Sequence, residues 1–275
     1  MEANDNPQAA LWNGSAGAAW VDNQDLLEAL FRPFEPLLAA AIAPGAQVLD
    51  VGCGTGSTTL AIARQLAGTG HATGLDISEA MIDTARATAA RLDIDATFLC
   101  ADAERHPFAP DSLDAIVSRF GVMFFADPVA AFANLRRAAR PGATLHLYAW
   151  RDAAENPFMT AAERAVAHLV PLPERDPDEP GQFAFARRQR VEGILHDSGW
   201  QDVTIAPADV RCSMPLVALP RYVSRMGPLG RILPTLDEAS RARIVEEACA
   251  GFAPHVQGEA VMFTAACWEI RARNG

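Results

Sequence analysis

The 275-residue chain is long enough for one large domain or for a core domain with a substantial insertion, and half of its residues are hydrophobic. A formal net charge of −11 argues against grip on nucleic-acid phosphates, and the densest basic run, Arg187, Arg188 and Arg190, reads as a solvated helix start. Every basic side chain is an arginine, which excludes Schiff-base lysine chemistry and a P-loop lysine.

Residues 1–10 are polar. Leu11–Ala41 reads as mostly helical, with breaks at Gly14 and Pro33. Gln47–Val51 is a short apolar run that stops at glycines, the mark of a buried strand. Thr58–Leu66 carries apolar residues at helical spacing and ends at Gly68 and Gly70. Ala72–Leu75 is a second strand ending at Asp76, and Ser78 stands where it can cap a helix running to about Leu92. Thr97–Cys100 is a third strand ending at Asp102, and Leu113–Ser118 is a fourth. Pro128–Ala139 is an amphipathic helix with proline in its first turn, and Thr144–Trp150 is a fifth strand.

Beyond Trp150 the pattern weakens. Residues 151–186 contain helical stretches and a proline-rich turn from Pro171 to Pro180. Val191–Ser198 is helical and stops at Gly199, Val203–Ile205 is a sixth strand, and residues 207–258 read as mostly helical, broken at prolines. Glu259–Arg271 alternates as a last strand.

This β-α-β order predicts an α/β fold: a Rossmann-like, doubly wound and mostly parallel sheet of seven strands, the last antiparallel, with helical cap insertions. Three parts are expected: an N-terminal helical segment at 1–43, a nucleotide-type core at 44–150, and the remaining strands with cap insertions at 151–275. The caps are about 151–190 and 207–258. Ligands in such sheets bind beyond the carboxyl ends of the strands.

The sharpest chemical signal is Val48-Leu49-Asp50-Val51-Gly52-Cys53-Gly54-Thr55-Gly56, a strand entering a glycine turn just before a helix. Glycines allow close backbone approach, and a helix N-terminus offers free N–H groups. The glycine spacing departs from GxGxxG, because position 57 is serine. Asp50 before the turn suits a cationic ligand better than a diphosphate.

VLDVGCGTG resembles motif I of class I S-adenosylmethionine-dependent methyltransferases. Leu75–Ser78, Ala101–Ala103, Leu113–Val117 and Arg140–Gly142 resemble the later motifs in order, over roughly residues 45–150. Ser118–Asp127 and Glu155–Pro157 are similar to a bacterial small-molecule subgroup of the ubiquinone-biosynthesis, type 11 kind. The resemblance implies S-adenosylmethionine as cofactor. It implies that Gly52, Cys53 and Gly54 line the methionine part and that Asp50 orders that region. Asp76 accepts the ribose hydroxyls, and Ile77 and Met81 pack on the adenine. Asp102 accepts from the adenine amino group, the Ala103 N–H serves a ring nitrogen, and Ser118 meets the methionine amino group.

Strand-end position puts Arg119, Phe120, Phe124, Trp150 and Asn156 toward the methyl acceptor, with Trp20 closing the cleft from the N-terminal helix. No catalytic side chain is assigned, since transfer from an activated sulfonium works largely by orientation. His146 reads as a packed or edge histidine within the fifth strand. The acceptor expected is a small molecule, with the methylated atom (oxygen, nitrogen or carbon) and the oligomeric state open. The alternatives are an NAD-dependent oxidoreductase and a cofactor binder without methyl transfer. The five cysteines have no CxxC spacing, which predicts neither a disulfide framework nor a metal site. With no signal peptide or membrane span apparent, the cytoplasm is the expected compartment.

Overall fold

A computed structural model of the chain describes residues 6–172 and 179–275. The strands are β1 (Gln47–Val51), β2 (His71–Asp76), β3 (Thr97–Cys100), β4 (Leu113–Arg119), β5 (Ala139–Trp150), β6 (Gln201–Pro215), β7 (Val256–Gln257) and β8 (Ala260–Arg273). They lie in the order β3-β2-β1-β4-β5-β8-β6, with β7 paired to β8 outside that path. The first five are mutually parallel, and β8 runs antiparallel to both β5 and β6. The expected seven strands thus form the continuous order, and the two-residue β7 is the eighth.

Four helices precede the sheet: α1 (Pro7–Trp12), α2 (Ser15–Asp22), α3 (Gln24–Phe31) and α4 (Glu35–Ala39). Gly14 is the N-cap of α2, and a 3-10 turn at Arg32–Phe34 contains Pro33, so both expected breaks are real. Within the core follow α5 (Ser57–Leu66), α6 (Glu79–Leu92) and α7 (Pro128–Ala138). Outside it lie α8 (Pro157–Val166), α9 (Arg188–Asp197), α10 (Leu219–Arg225), α11 (Gly227–Ile232) and α12 (Glu238–Ala250). Among the described residues no helix is long and apolar enough to cross a membrane.

The strands form where apolar runs can be covered on both faces. Val48, Leu49 and Val51 of β1 are each 2% exposed or less, because β1 is the middle of the parallel part. The main core continues through Leu145 and Leu147 of β5 and Ile270 of β8. A second small cluster, Cys53, Leu60, Ile82, Ala85, Ala89 and Phe98, fills the space beneath α5 and α6.

Three local expectations are corrected. Residues 207–215 are strand, so the segment 207–258 is helical only from Leu216 on. Pro207 and Pro215 look like breakers, yet β6 is an edge strand, where a missing N–H is tolerated. Its period-two pattern is plain, with Val210, Cys212 and Met214 buried between exposed neighbours. Strand β5 starts at Ala139, and Arg140-Pro141-Gly142 is drawn into it. Ser78 occupies the N-cap of α6, but its hydroxyl is buried without a partner. Asn13 caps instead, from the end of α1: its Oδ1 accepts from the Glu79 N–H at 3.0 Å and its Nδ2 donates to the Ile77 carbonyl at 3.0 Å. This ties the N-terminal helices to the loop after β2. The turn expected at Pro171–Pro180 lies partly outside the described residues.

Candidate functional site

The loops after β1, β2, β3, β4 and β5 converge on one cleft of about 910 Å³, roofed by α1, α2, α8, α10 and α11. Its geometry begins with the turn after β1. Gly52 and Gly54 have φ of +66° and +55°, a region that side chains rarely adopt. A Cβ on Gly52 would stand 2.5 Å from Gly121 Cα, so the turn after β1 packs backbone to backbone on the loop after β4. A Cβ on Gly54 would face the Trp20 indole nitrogen at 3.6 Å and Met81 Sδ at 3.8 Å, across the cleft floor.

Asp76 ends β2 and is 9% exposed. Its Oδ2 accepts from the Gly54 N–H at 2.8 Å and its Oδ1 from the Ser78 N–H at 2.9 Å. Burial pushes this carboxyl up from its ordinary range, against the pull of those N–H donors. Asp102 follows β3. Its Oδ1 accepts from the Glu104 N–H at 2.9 Å and its Oδ2 from the Asn6 side-chain amide at 3.0 Å. Ile77, Met81 and Ala103 line the wall between these two acids.

The other end of the cleft is aromatic. Phe120 has φ of +68°, unusual outside glycine, and its N–H donates to the Tyr148 carbonyl at 3.0 Å. That conformation stacks Phe120 on Trp150, with ring centres 4.2 Å apart and planes 15° from parallel. Phe31 meets both rings edge-on, at 5.4 and 5.9 Å. Phe158, Tyr222 and Phe252 complete this end.

The cleft thus brings together a glycine turn, a carboxylate that ends β2 and a second that follows β3. Residues 48–142 match the family described as methyltransferase domain. Residues 48–142 thus form a methyltransferase domain. An uncharacterized protein of Mycobacterium tuberculosis is 33% identical over 175 residues, 62% of this chain and 61% of its own. The chain thus matches about three-fifths of that relative's length. A demethylmenaquinone methyltransferase of Renibacterium salmoninarum is 28% identical over 207 residues, 71% of this chain and 84% of its own. A solved structure titled as a SAM-dependent methyltransferase from Aquifex aeolicus superposes with a TM-score of 0.53 at 16% identity, over 98% of this chain and 99% of that one. That last likeness speaks for the fold. Nothing in these comparisons supports the oxidoreductase alternative.

Within the methyltransferase domain, the cleft gathers Gly52, Gly54, Asp76, Ile77, Met81, Asp102 and Ala103 from the expected cofactor set. From the expected acceptor set it gathers Trp20, Arg119, Phe120, Phe124 and Trp150. Four expected residues do not face it. Asp50 is 2% exposed beneath the turn, and its Oδ2 accepts from the Thr59 hydroxyl at 2.7 Å, which fastens β1 to α5. Cys53 points into the small core cluster. The Ser118 hydroxyl donates to the Val51 carbonyl at 2.7 Å and accepts from the Gly121 N–H at 3.1 Å, so it latches two loops together. Asn156 is fully buried, and its amide bonds both the N–H and the carbonyl of Ala266 at 2.9 Å, which pins the start of α8 to β8.

The sequence reading missed Asn6, Phe31, Phe158, Tyr222 and Phe252. A faint signal existed in α10, where Tyr222 and Arg225, three residues apart, share one helix face and both line the cleft. His146, read as a packed or edge histidine, is buried in β5 with its Nε2 2.9 Å from the Glu269 carboxylate, off the cleft.

Asp50 provides a pH prediction. Burial pushes its carboxyl up to about 7 from an ordinary value near 3.8. A raised folded-state value means that the folded protein binds more protons between those two values. The group's contribution is therefore full below about 3.8 and is lost as pH rises through about 7. Asp50→Asn keeps an acceptor for Thr59 but cannot ionise. Its stability relative to wild type is expected to improve by roughly 2–3 kcal/mol between pH 5 and pH 8, read from urea unfolding curves. A constant difference across that range would contradict an ionising Asp50.

Proposed function

We propose that this protein transfers a methyl group from S-adenosylmethionine to a small, largely apolar acceptor. The observation that carries the reading is the continuity of the cleft. Its nucleoside end holds Asp76 and Asp102, and its other end is an aromatic chamber of Phe31, Phe120, Trp150, Phe158, Tyr222 and Phe252. The Gly52–Gly121 contact lies at the junction of the two.

In this reading Asp76 accepts both ribose hydroxyls, and Asp102 and the Ala103 N–H meet the adenine edge. Ile77 and Met81 flank the adenine, and Gly52 and Gly54 give the methionine part room at the turn. When bound, the cofactor supplies an electrophilic methyl group. The chain's own share is to hold the acceptor in line with it and to exclude water with the aromatic walls. No histidine lines the cleft among the described residues, which fits catalysis by orientation. A relative named for demethylmenaquinone is consistent with a flat, apolar acceptor. We assign α8, α10 and α11 to the acceptor cap and α1 to α3 to the cofactor-side cover. A cytoplasmic setting suits the five cysteines, which all remain free thiols.

The test is incubation with methyl-tritiated S-adenosylmethionine and a panel of phenols and quinols, with organic extraction of the label. Label is expected in the organic phase. Tyr222→Ala is expected to lower that turnover at least about tenfold while cofactor affinity stays within about threefold. Label appearing only on polyanions or on protein would contradict an apolar small acceptor. Equal losses of turnover and affinity in the variant would contradict a separate cap.

A further inference from the structure

Arg119 was expected among the acceptor contacts, but its surroundings are those of the cofactor's amino-acid end. It closes β4, two residues before Gly121, whose backbone packs on Gly52. Its Nη2 donates to the Ser57 hydroxyl at 2.9 Å, and Ser57 is the first residue of α5, directly after the glycine turn. Its Nη1 donates to the Phe31 carbonyl at 3.3 Å, and the Phe31 ring centre lies 6.0 Å from the guanidinium carbon. A guanidinium carries five N–H donors. Two are engaged here, both by neutral oxygens, on a side chain that lines the cleft.

Three carboxylates influence this cation, those of Glu35, Asp50 and Glu28. None forms an ion pair with it among the described residues. Glu28 is engaged by the Thr55 hydroxyl at 2.9 Å and the Gln24 amide at 2.7 Å, and Asp50 by Thr59. A half-buried guanidinium with no contacting carboxylate is short of an anion that a ligand in the cleft can supply. It also stands beside the positive end of a ten-residue helix, which adds to the same demand. The three nearby acids would oppose a doubly charged diphosphate. A ligand with one carboxylate and no net negative charge offers the guanidinium its anion without that repulsion.

We propose that Arg119 is the receptor for the methionine carboxylate of the cofactor, gripping it with its free N–H donors together with the N–H groups that open α5. This rests on the cofactor reading above and adds a subsite to it. Arg119 then belongs to cofactor recognition, and the acceptor pocket is left to the aromatic walls.

The test compares S-adenosylmethionine with its decarboxylated analogue, which keeps the sulfonium and the ammonium. Affinities are measured by calorimetry for the full chain and for Arg119→Gln and Arg119→Lys. Wild type is expected to prefer S-adenosylmethionine by roughly 10- to 100-fold, the range of a charge-assisted pair. Arg119→Gln erases that preference by weakening S-adenosylmethionine alone, and Arg119→Lys keeps part of it. Wild type with no preference, or a glutamine variant that weakens both ligands equally, overturns the proposal and leaves the cofactor reading standing. Should the glutamine variant fail to fold, the wild-type preference and the lysine variant decide. Wild type that binds neither ligand overturns the cofactor reading itself, and this inference with it.

Discussion

Asp76→Ala is expected to weaken S-adenosylmethionine binding by roughly 100-fold, the loss of two charge-assisted hydrogen bonds to a diol. The expectation comes from where the carboxylate is held. Each oxygen already accepts one backbone N–H, from Gly54 and from Ser78, so the group cannot rotate away from the cleft. Each oxygen keeps a second lone pair for a ribose hydroxyl. Alanine also strands those two N–H groups, which is a stability effect and must be separated from binding. Asp76→Asn narrows the stability effect, because its amide oxygen still accepts one backbone N–H while its NH2 leaves the other unpaired. It is expected to lose less stability than alanine and yet bind far more weakly than wild type. Affinity unchanged in both variants would remove Asp76 from the ribose site.

The second large effect is structural. Gly52→Ala is expected to destabilise the protein by roughly 2–5 kcal/mol and to abolish cofactor binding. Two costs combine: a left-handed backbone at φ +66° and a Cβ placed 2.5 Å from the Cα of Gly121. Neither atom can give way, because the Ser118 hydroxyl bonds both the Val51 carbonyl and the Gly121 N–H. Gly142 supplies the internal control. Its φ is +80°, but no atom lies within 4 Å of its Cβ position, so Gly142→Ala carries only the backbone cost of about 1–2 kcal/mol. Urea unfolding of the two variants side by side reads the difference. Similar losses at both positions would show that the close backbone contact does not matter.

Much of this was legible in the chain. Strands β1 to β4 announce themselves as short apolar runs that end at glycine, aspartate or serine, and the helices between them carry their breakers. The cleft-lining positions Gly52, Gly54, Asp76 and Asp102 were readable because each ends a strand or lies within three residues of its end, where chain position alone brings a residue to the cleft. Side-chain direction was not readable in the same way. Asp50, Ser118 and Asn156 are as near the cleft along the chain as their neighbours, yet each turns inward to tie two segments together. Strand β6 was cut short because residues 207–215 read as the start of a helical stretch broken at Pro215, although proline is harmless on a sheet edge. Tyr222 and Phe252 line the same cleft as Phe31 and Trp150 only through packing between distant segments, which local pattern does not encode. Asn6 is the same kind of case: its amide meets Asp102, 96 residues on.

The most direct measurement is a calorimetric titration of the wild-type chain with S-adenosylmethionine and, separately, with NAD. Saturable binding of the sulfonium nucleoside at one site per chain, with no heat from the dinucleotide, is the predicted result. Saturation by the dinucleotide with none by S-adenosylmethionine would contradict the assignment of the glycine turn, Asp76 and Asp102.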